Sequence, residues 1–254
     1  MLLSVIVHIY NNQKALEDQA RFWRDWDFDH DIELIFIDDG SSPPLTTEAL
    51  PPMAKCYRVL EDIPWNMPGA KNLGAKYAQG EWLLFYDADQ FLAADGIKQL
   101  ISRLPSLKPN NLYRFRRYSI QNSEELCVHQ NCQVIRKDEY IRIGGFDEDF
   151  SGSYGHDDSY FERVWTFNGG GIVILDEPFL LSIDDLATVN LSRDTEKNRL
   201  LRRKKMRYWH LQKSWLGRQA MKSEHILRFL IKSQLISDGR PREQIRFRWE
   251  SNQR

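Results

Sequence analysis

A chain of 254 residues, 42% of them hydrophobic, can bury a full core, and one large domain with an appendage is the expectation. No apolar run approaches the ~20 residues of a membrane span. Three cysteines (Cys56, Cys127, Cys132), odd in number and without metal-type spacing, argue against a disulfide framework and for reduced thiols in a cytosol-like compartment. The net charge of −1 hides a split: residues 190–254 hold 18 Lys and Arg against 6 Asp and Glu, and the remainder holds 17 against 30. Such an asymmetry marks a basic interaction tail.

Leu2 to Ile9 is an apolar stretch, interrupted by Ser4 and His8, with no basic leader and no small-residue cleavage site, which predicts a strand and not a signal peptide. Residues 13–26 suit a helix, and 33–38 form a second apolar strand. Pro43-Pro44 and Pro51-Pro52 punctuate a loop after it. Residues 70–79 predict a helix that leads into a third buried strand, 82–87. Alternating strands and helices argue for a mostly parallel sheet covered by helices. Within 94–104, Ile97, Leu100, Ile101 and Leu104 recur at helical spacing. Leu112 to Ser119 and Gln133 to Arg136 read as strands. A helix begun near Asp158 ends at Gly169-Gly170-Gly171, and Ile172 to Leu175 then predict a short buried strand. From Asp194 onward the pattern is helical and basic.

The third strand stops in two acids, Tyr86-Asp87-Ala88-Asp89. Ligands of open α/β sheets bind at the carboxyl ends of the strands. Side chains two apart on an extended chain point the same way, so Asp87 and Asp89 converge on one ligand. Two hard oxygen donors suit Mg2+ or Mn2+, and Mg2+ usually binds through one or two carboxylates plus substrate phosphates. An acidic turn is the plain alternative. The first strand ends in Tyr10-Asn11-Asn12 and the second in Asp38-Asp39-Gly40-Ser41-Ser42, where turn chemistry also explains an Asp. Asp157 and Asp158 stand where a helix begins, a favoured place for acids. Two neighbouring acids also raise one pKa toward a value useful in a general base.

These segments, taken in order with Pro68 to Glu81, Gly144-Gly145-Phe146-Asp147-Glu148 and Tyr154-Gly155-His156-Asp157-Asp158, resemble the family 2 glycosyltransferases of the GT-A fold, which use nucleotide sugars. The resemblance covers roughly residues 2–185. It implies a GT-A domain over 1–189, with a nucleotide-binding half (1–90) and an acceptor half (91–189), followed by a basic helical extension (190–254). The implied reaction is metal-dependent, inverting transfer of a hexose-type sugar from a UDP-sugar to a hydroxyl of a glycan or lipid-linked acceptor. Polysaccharide synthesis in the cytoplasm, or at the inner face of the membrane, is the implied setting.

Carried over residue by residue, Asp89 ligates Mn2+ or Mg2+, with Asp87 its partner at the metal or the ribose. One of Asp38 and Asp39, with Asp39 favoured, reads the N3–H of uracil, and Tyr10 stacks on the base. Lys71 and Asn72 stand where the family more often has Arg-Asn. Lys71 would meet the diphosphate as a point charge without the fork of Arg. Asp158 is the implied general base and Asp157 orients the acceptor sugar. Gly145, Tyr154 and His156 line the acceptor side. Many relatives add a histidine ligand after the strand at 172–175; this chain has Asp184 there, or diphosphate and water complete the shell.

Two other function classes compete. Nucleotidyl transfer from an NTP uses paired acids on related folds, but residues 8–14 lack the Gly-rich basic loop. A non-catalytic sugar, nucleotide or nucleic-acid binder could use the basic, aromatic-bearing tail, which shows no nucleic-acid motif. That tail, with Arg202-Arg203-Lys204-Lys205, suits a diphosphate clamp, a peripheral contact with anionic lipid at ~1 kcal/mol per basic residue, or a solvated helix face. Gln244 to Trp249 is one residue longer than the Gln-x-x-Arg-Trp motif of processive synthases, a coincidental match.

Overall fold

The computed structural model describes residues 2–24, 31–93, 95–183, 191–240 and 244–251. In chain order the elements are β1 (Leu3–Ile9), α1 (Gln13–Arg24), β2 (Ile32–Asp38), β3 (Lys55–Val59), α2 (Met67–Tyr77), β4 (Trp82–Asp87), β5 (Gln90–Leu92), α3 (Gly96–Arg103), β6 (Asn111–Ser119), β7 (Glu125–Leu126), β8 (Gln133–Arg136), α4 (Lys137–Arg142), α5 (Asp157–Phe167), β9 (Gly171–Ser182), α6 (Glu196–Lys213), α7 (Trp215–Lys222), α8 (Glu224–Lys232) and β10 (Trp249–Ser251). Asp184 lies outside the described residues.

Nine strands form one sheet path, β10-β3-β2-β1-β4-β8-β6-β9-β5, with β7 paired to β6. The expected parallel order holds across β3-β2-β1-β4. Beyond β4 the sheet is mixed: β8 is antiparallel to β4 and β6, and β9 is parallel to β6 but antiparallel to β5. The strand expected at 172–175 is longer, running twelve residues, and is less buried: Ile174 is 50% exposed.

Alternation along β1 builds three layers. Leu3, Val5, Val7 and Ile9 face α1 and α3 through Ala15, Leu16, Ala20, Trp23, Ile97 and Leu100. Ile6, with Ile35 and Ile37 of β2, faces α2 and α5 through Ala70, Leu73, Phe161 and Trp165. Gly74 lets α2 lie close to the sheet, since a Cβ there would come within 2.4 Å of Ile6 Cγ2.

The basic extension is stitched to the α/β core. Lys205 of α6 is fully buried, with Nζ 2.7 Å from both Asp147 and Asp149. Trp209 donates its indole N–H to the Tyr160 hydroxyl at 3.0 Å. The last strand, β10, adds antiparallel to β3, and Trp249 packs beside Tyr57 and Tyr77. Ahead of it, Gln244 donates to the Gly144 carbonyl, and Glu148 accepts the backbone N–H of Ile245. The segment resembling a synthase motif therefore buttresses the Gly144 turn.

Candidate active site

A cavity of about 390 Å3 opens where β1, β2 and β4 end. That is the carboxyl edge of the parallel strands, the expected ligand position. Five carboxylates line it: Asp39, Asp87, Asp89, Asp157 and Asp158.

The end of β2 divides its two acids. Asp38 turns inward, where its carboxylate accepts the backbone N–H of Ser41 (2.9 Å) and Leu45 (3.1 Å) and faces Arg58 at 3.5 Å. Asp38 thus shapes the turn. Strand periodicity sends Asp39 the other way, into the cavity wall, where it accepts a hydrogen bond from Asn66 at 2.8 Å. Burial pushes the Asp39 carboxyl well above its ordinary value; the Asn66 bond works against this and the Asp38 charge adds to it. Tyr10 also lines the cavity, its hydroxyl donating to Asp62 at 2.7 Å. Burial, then that bond and charge, push the phenol up to about 12.

The end of β4 presents Asp87 and Asp89 to the same space. His129, from the loop between β7 and β8, places Nδ1 2.9 Å from Asp87 Oδ2. Burial alone would raise the Asp87 carboxyl, but the His129 bond and charge, then Lys71 and His8, hold it well below the usual carboxylate range. Asp89 is pushed up by burial and then by the Asp87 charge. His8, at the end of β1, is lowered to about 4 by burial and then by Lys71, so it is neutral near pH 7.

Lys71 and Asn72, expected at the diphosphate, are not among the cavity's lining residues. Lys71 is fully buried: its Nζ donates to the Asn131 carbonyl at 3.0 Å and lies 5.0 Å from the centre of the Phe146 ring. Burial lowers its pKa, and Asp87, Cys132, Asp157 and Asp158 oppose that shift. It is a counter-charge behind the acidic wall. Asn72 is a structural hub: its Nδ2 donates to the Phe146 carbonyl and to Glu148, while its Oδ1 accepts from the Tyr140 hydroxyl. Gly145 also lies behind the wall. Its φ is +67° and a Cβ would meet Asn72 Oδ1 at 2.5 Å, so close packing and backbone geometry require glycine there.

Asp157 and Asp158 open α5 and face the cavity, with Tyr154 beside them. The Tyr154 ring stands 4.6 Å from that of Trp65. Burial, then the Asp158 charge, pushes the Asp157 carboxyl up to about 6. His156, at φ +69°, is the residue before the helix and is not among the lining residues. The extension reaches this corner through Asn198. Its buried amide donates to the carbonyls of Phe150, Ser153 and Gly155, which shape the turn that leads into the acid pair.

Residues 4–156 match the sequence profile described as Glycosyl transferase family 2. The chain belongs to that family. A Haemophilus influenzae protein named as an uncharacterized glycosyltransferase is 32% identical over 104 residues, which are 40% of this chain and 41% of that protein. EpsH of Bacillus subtilis, which carries a provisional glycosyltransferase name, is 26% identical over 101 residues, 39% of this chain and 29% of EpsH. The matched stretches thus span less than half of either relative. Among solved structures, S. aureus TarS 1-349 in complex with UDP-GlcNAc superposes with a TM-score of 0.64 at 13% identity, covering 91% of this chain and 73% of that one. TarS 1-349 in complex with UDP gives 0.55 at 15% identity, over 92% of this chain and 79% of that one. At these identities the likeness shows the fold, which is the GT-A glycosyltransferase architecture.

This family 2 glycosyltransferase lines its cavity with residues that carry no motif in the sequence: His8, Trp65, Asn66, His129 and Asn131. No histidine follows β9 before His210, and Asp184 was the residue expected to substitute; the histidine beside Asp87 comes from the loop before β8. A divalent cation fits that corner. Asp87 Oδ1 is buried and without a hydrogen-bond partner among the described residues, a lone-pair donor with nothing to accept. Ligand atoms of Asp87, His129 and Cys132 lie within 4.8 Å of one another. Burial pushes the Cys132 thiol well above its ordinary value, and of the donors at this corner the carboxylate oxygens are the ones that suit Mg2+ or Mn2+.

Proposed function

We propose that this chain moves a sugar from a nucleotide-sugar donor, a UDP-sugar, to a hydroxyl of a glycan or lipid-linked acceptor, with inversion at the anomeric carbon. The observation that carries this reading is the convergence of Asp39, Asp87, Asp89, Asp157 and Asp158 on one cavity. The UDP and UDP-GlcNAc complexes of the TarS structures, which share the fold, support the choice of donor.

Asp39 and Tyr10 take the base and ribose end. An N–H donated to the Asp39 carboxylate favours its charged form, against the push of burial. Asp87 and Asp89, with His129 behind, hold Mn2+ or Mg2+. When bound, such an ion neutralises the charge that develops on a departing nucleoside diphosphate. Asp158, less buried than Asp157, is the general base. It takes the proton of the acceptor hydroxyl as that oxygen bonds to the anomeric carbon. The bond from that carbon to the diphosphate oxygen breaks, and its electron pair leaves with the diphosphate. Asp157 and Tyr154 position the acceptor. Hexosyl transfer in polysaccharide synthesis at the cytoplasmic side, with the basic extension near the membrane, is the setting this reaction suits. Among the described residues no helix is long and apolar enough to cross a membrane.

The test is thermal stability with Mn2+ and each of UDP, GDP, CDP and ADP, against an EDTA control. A ligand at ~100 times its Kd adds ~2.7 kcal/mol if it binds only the folded state. A metal-dependent rise with UDP alone is expected. A rise with another diphosphate overturns the Asp39–uracil assignment, and no rise with any of them overturns the donor reading.

A further inference from the structure

A second cavity, of about 580 Å3, is lined by Arg163 of α5 and by Arg202, Arg203, Met206, Arg207 and His210 of α6. It shares no lining residue with the acidic cavity. Steps of three and four residues bring the α6 side chains to one side of the helix.

The acids nearby are engaged elsewhere. Asp147 and Asp149 pair with Lys205, Glu162 with Arg114 at 3.0 Å, and Glu196 with Arg199. Among the described residues none of the four cavity arginines forms an ion pair, although most other arginines of the chain do. Arg202 Nε is buried and has no hydrogen-bond partner among the described residues. Arg207 spends one N–H on the Leu235 carbonyl at 3.1 Å. Four guanidinium groups around one cleft repel one another unless an anion joins them. Their planar forks match the oxygens of a phosphate group and bond to them in pairs.

We propose that the α5–α6 cleft is a binding site for a phosphate group, carried by a free phosphorylated solute or by an anionic lipid headgroup. Its size suits a small group, not an extended strand of nucleic acid. The helices that follow bear on the lipid source: Trp215, Leu216 and Phe229 are 65%, 73% and 66% exposed, the kind of side chain that enters a bilayer interface beside basic residues.

The experiment uses the full chain in EDTA without nucleotide, so that its failure leaves the sugar-transfer reading untouched. One arm titrates inorganic phosphate and pyrophosphate by calorimetry. The other co-sediments the protein with phosphatidylglycerol vesicles and with pure phosphatidylcholine vesicles. The cleft variant is Arg163→Gln with Arg203→Gln, two exposed side chains on different helices. The control, Lys98→Gln with Arg103→Gln, makes the same charge change on α3. Binding to at least one phosphate probe is expected in wild type and control, with affinity roughly tenfold or more weaker in the cleft variant. Binding of the inorganic anions identifies a solute site; binding of the anionic vesicles alone identifies a headgroup site. A variant-free readout is phenylglyoxal labelling of wild type: the bound probe protects Arg163 and Arg203, and mass spectrometry maps it. The proposal is overturned if no phosphate probe binds, if cleft variant and control lose binding equally, or if labelling of these arginines is unchanged by the probes.

Discussion

The acidic cavity has two halves built by different means. On one side Tyr10, Asp39, Asp87 and Asp89 stand at the ends of β1, β2 and β4. There the parallel register aligns Ile9 with Asp38 and His8 with Asp87, and the backbone ladder fixes each position. On the other side Asp157 and Asp158 stand at a helix start, on a turn held by Asn198 from the extension. Strand ends are fixed by the backbone ladder, with Asn66 and His129 as added side-chain partners, whereas the turn is held by three side-chain hydrogen bonds from Asn198 of the extension. The two halves should therefore fail separately, and mutations can show whether they do.

The largest effect is expected at Asp158. Under the proposed reaction, Asp158→Asn removes the base and lowers transfer by about 10²–10⁴-fold. UDP and Mn2+ should still raise the melting temperature as in wild type, because the strand-end half is intact. Near wild-type transfer by a folded Asp158→Asn protein would sink the assignment of the base.

Next is Asp157, whose burial has a readable sign. Its carboxyl is about 6 in the folded chain and ordinarily 3.8. Below 3.8 it is neutral folded or unfolded and costs nothing. As pH rises through this window to above about 6, the folded state must hold a buried charge and loses stability. A gap of about two units corresponds to on the order of 2–3 kcal/mol. Asp157→Asn should therefore melt higher than wild type at pH 7.5 in EDTA, and the gap should close by pH 4. A gap that does not vary with pH would mean that the Asp157 carboxyl titrates alike in the folded and unfolded chain, and would remove the burial effect.

On the strand-end side, His129→Ala should weaken Mn2+ binding by about 10–100-fold, the usual cost of losing a residue that orients a ligating carboxylate. The same protein should keep its Asp157 pH signature. Unaltered Mn2+ affinity would remove His129 from the metal corner.

The sequence carries the two halves unequally. Strand ends are legible because period-two alternation and turn residues are local, so Asp87, Asp89 and the Asp38–Asp39 pair could be placed before any fold was known. Even the division between Asp38 and Asp39 follows from that alternation once the strand's buried face is fixed. Lys71 was misplaced because its position on α2 is local but its direction is not: the rings of Phe85 and Phe146 and the Asn131 carbonyl draw it inward. His129 was missed because nothing near Cys127 to Cys132 shows that this loop returns to the end of β4. Asn198 was missed because a polar residue in a basic helix looks solvated, and only packing shows that it is buried.

Asn198 is where the comparison can be sharpened most, although its effect should be the smallest. Asn198→Ala leaves the carbonyls of Phe150, Ser153 and Gly155 without that donor. Water can reach part of this turn, so the cost should be about 1–2 kcal/mol and not the full penalty of buried unpaired groups. That energy is lost from the turn that carries the acid pair, so turnover should fall by up to roughly tenfold. The affinity for UDP with Mn2+ should stay within about twofold, since no strand end changes. Asn198→Asp is the harsher version, because a carboxylate facing three carbonyl oxygens repels them. If donor affinity falls in step with turnover in either variant, the strand ends also depend on the extension and the two halves are one unit. If turnover alone falls, the basic extension is part of the catalytic domain on the acceptor side, whatever its cleft of arginines binds.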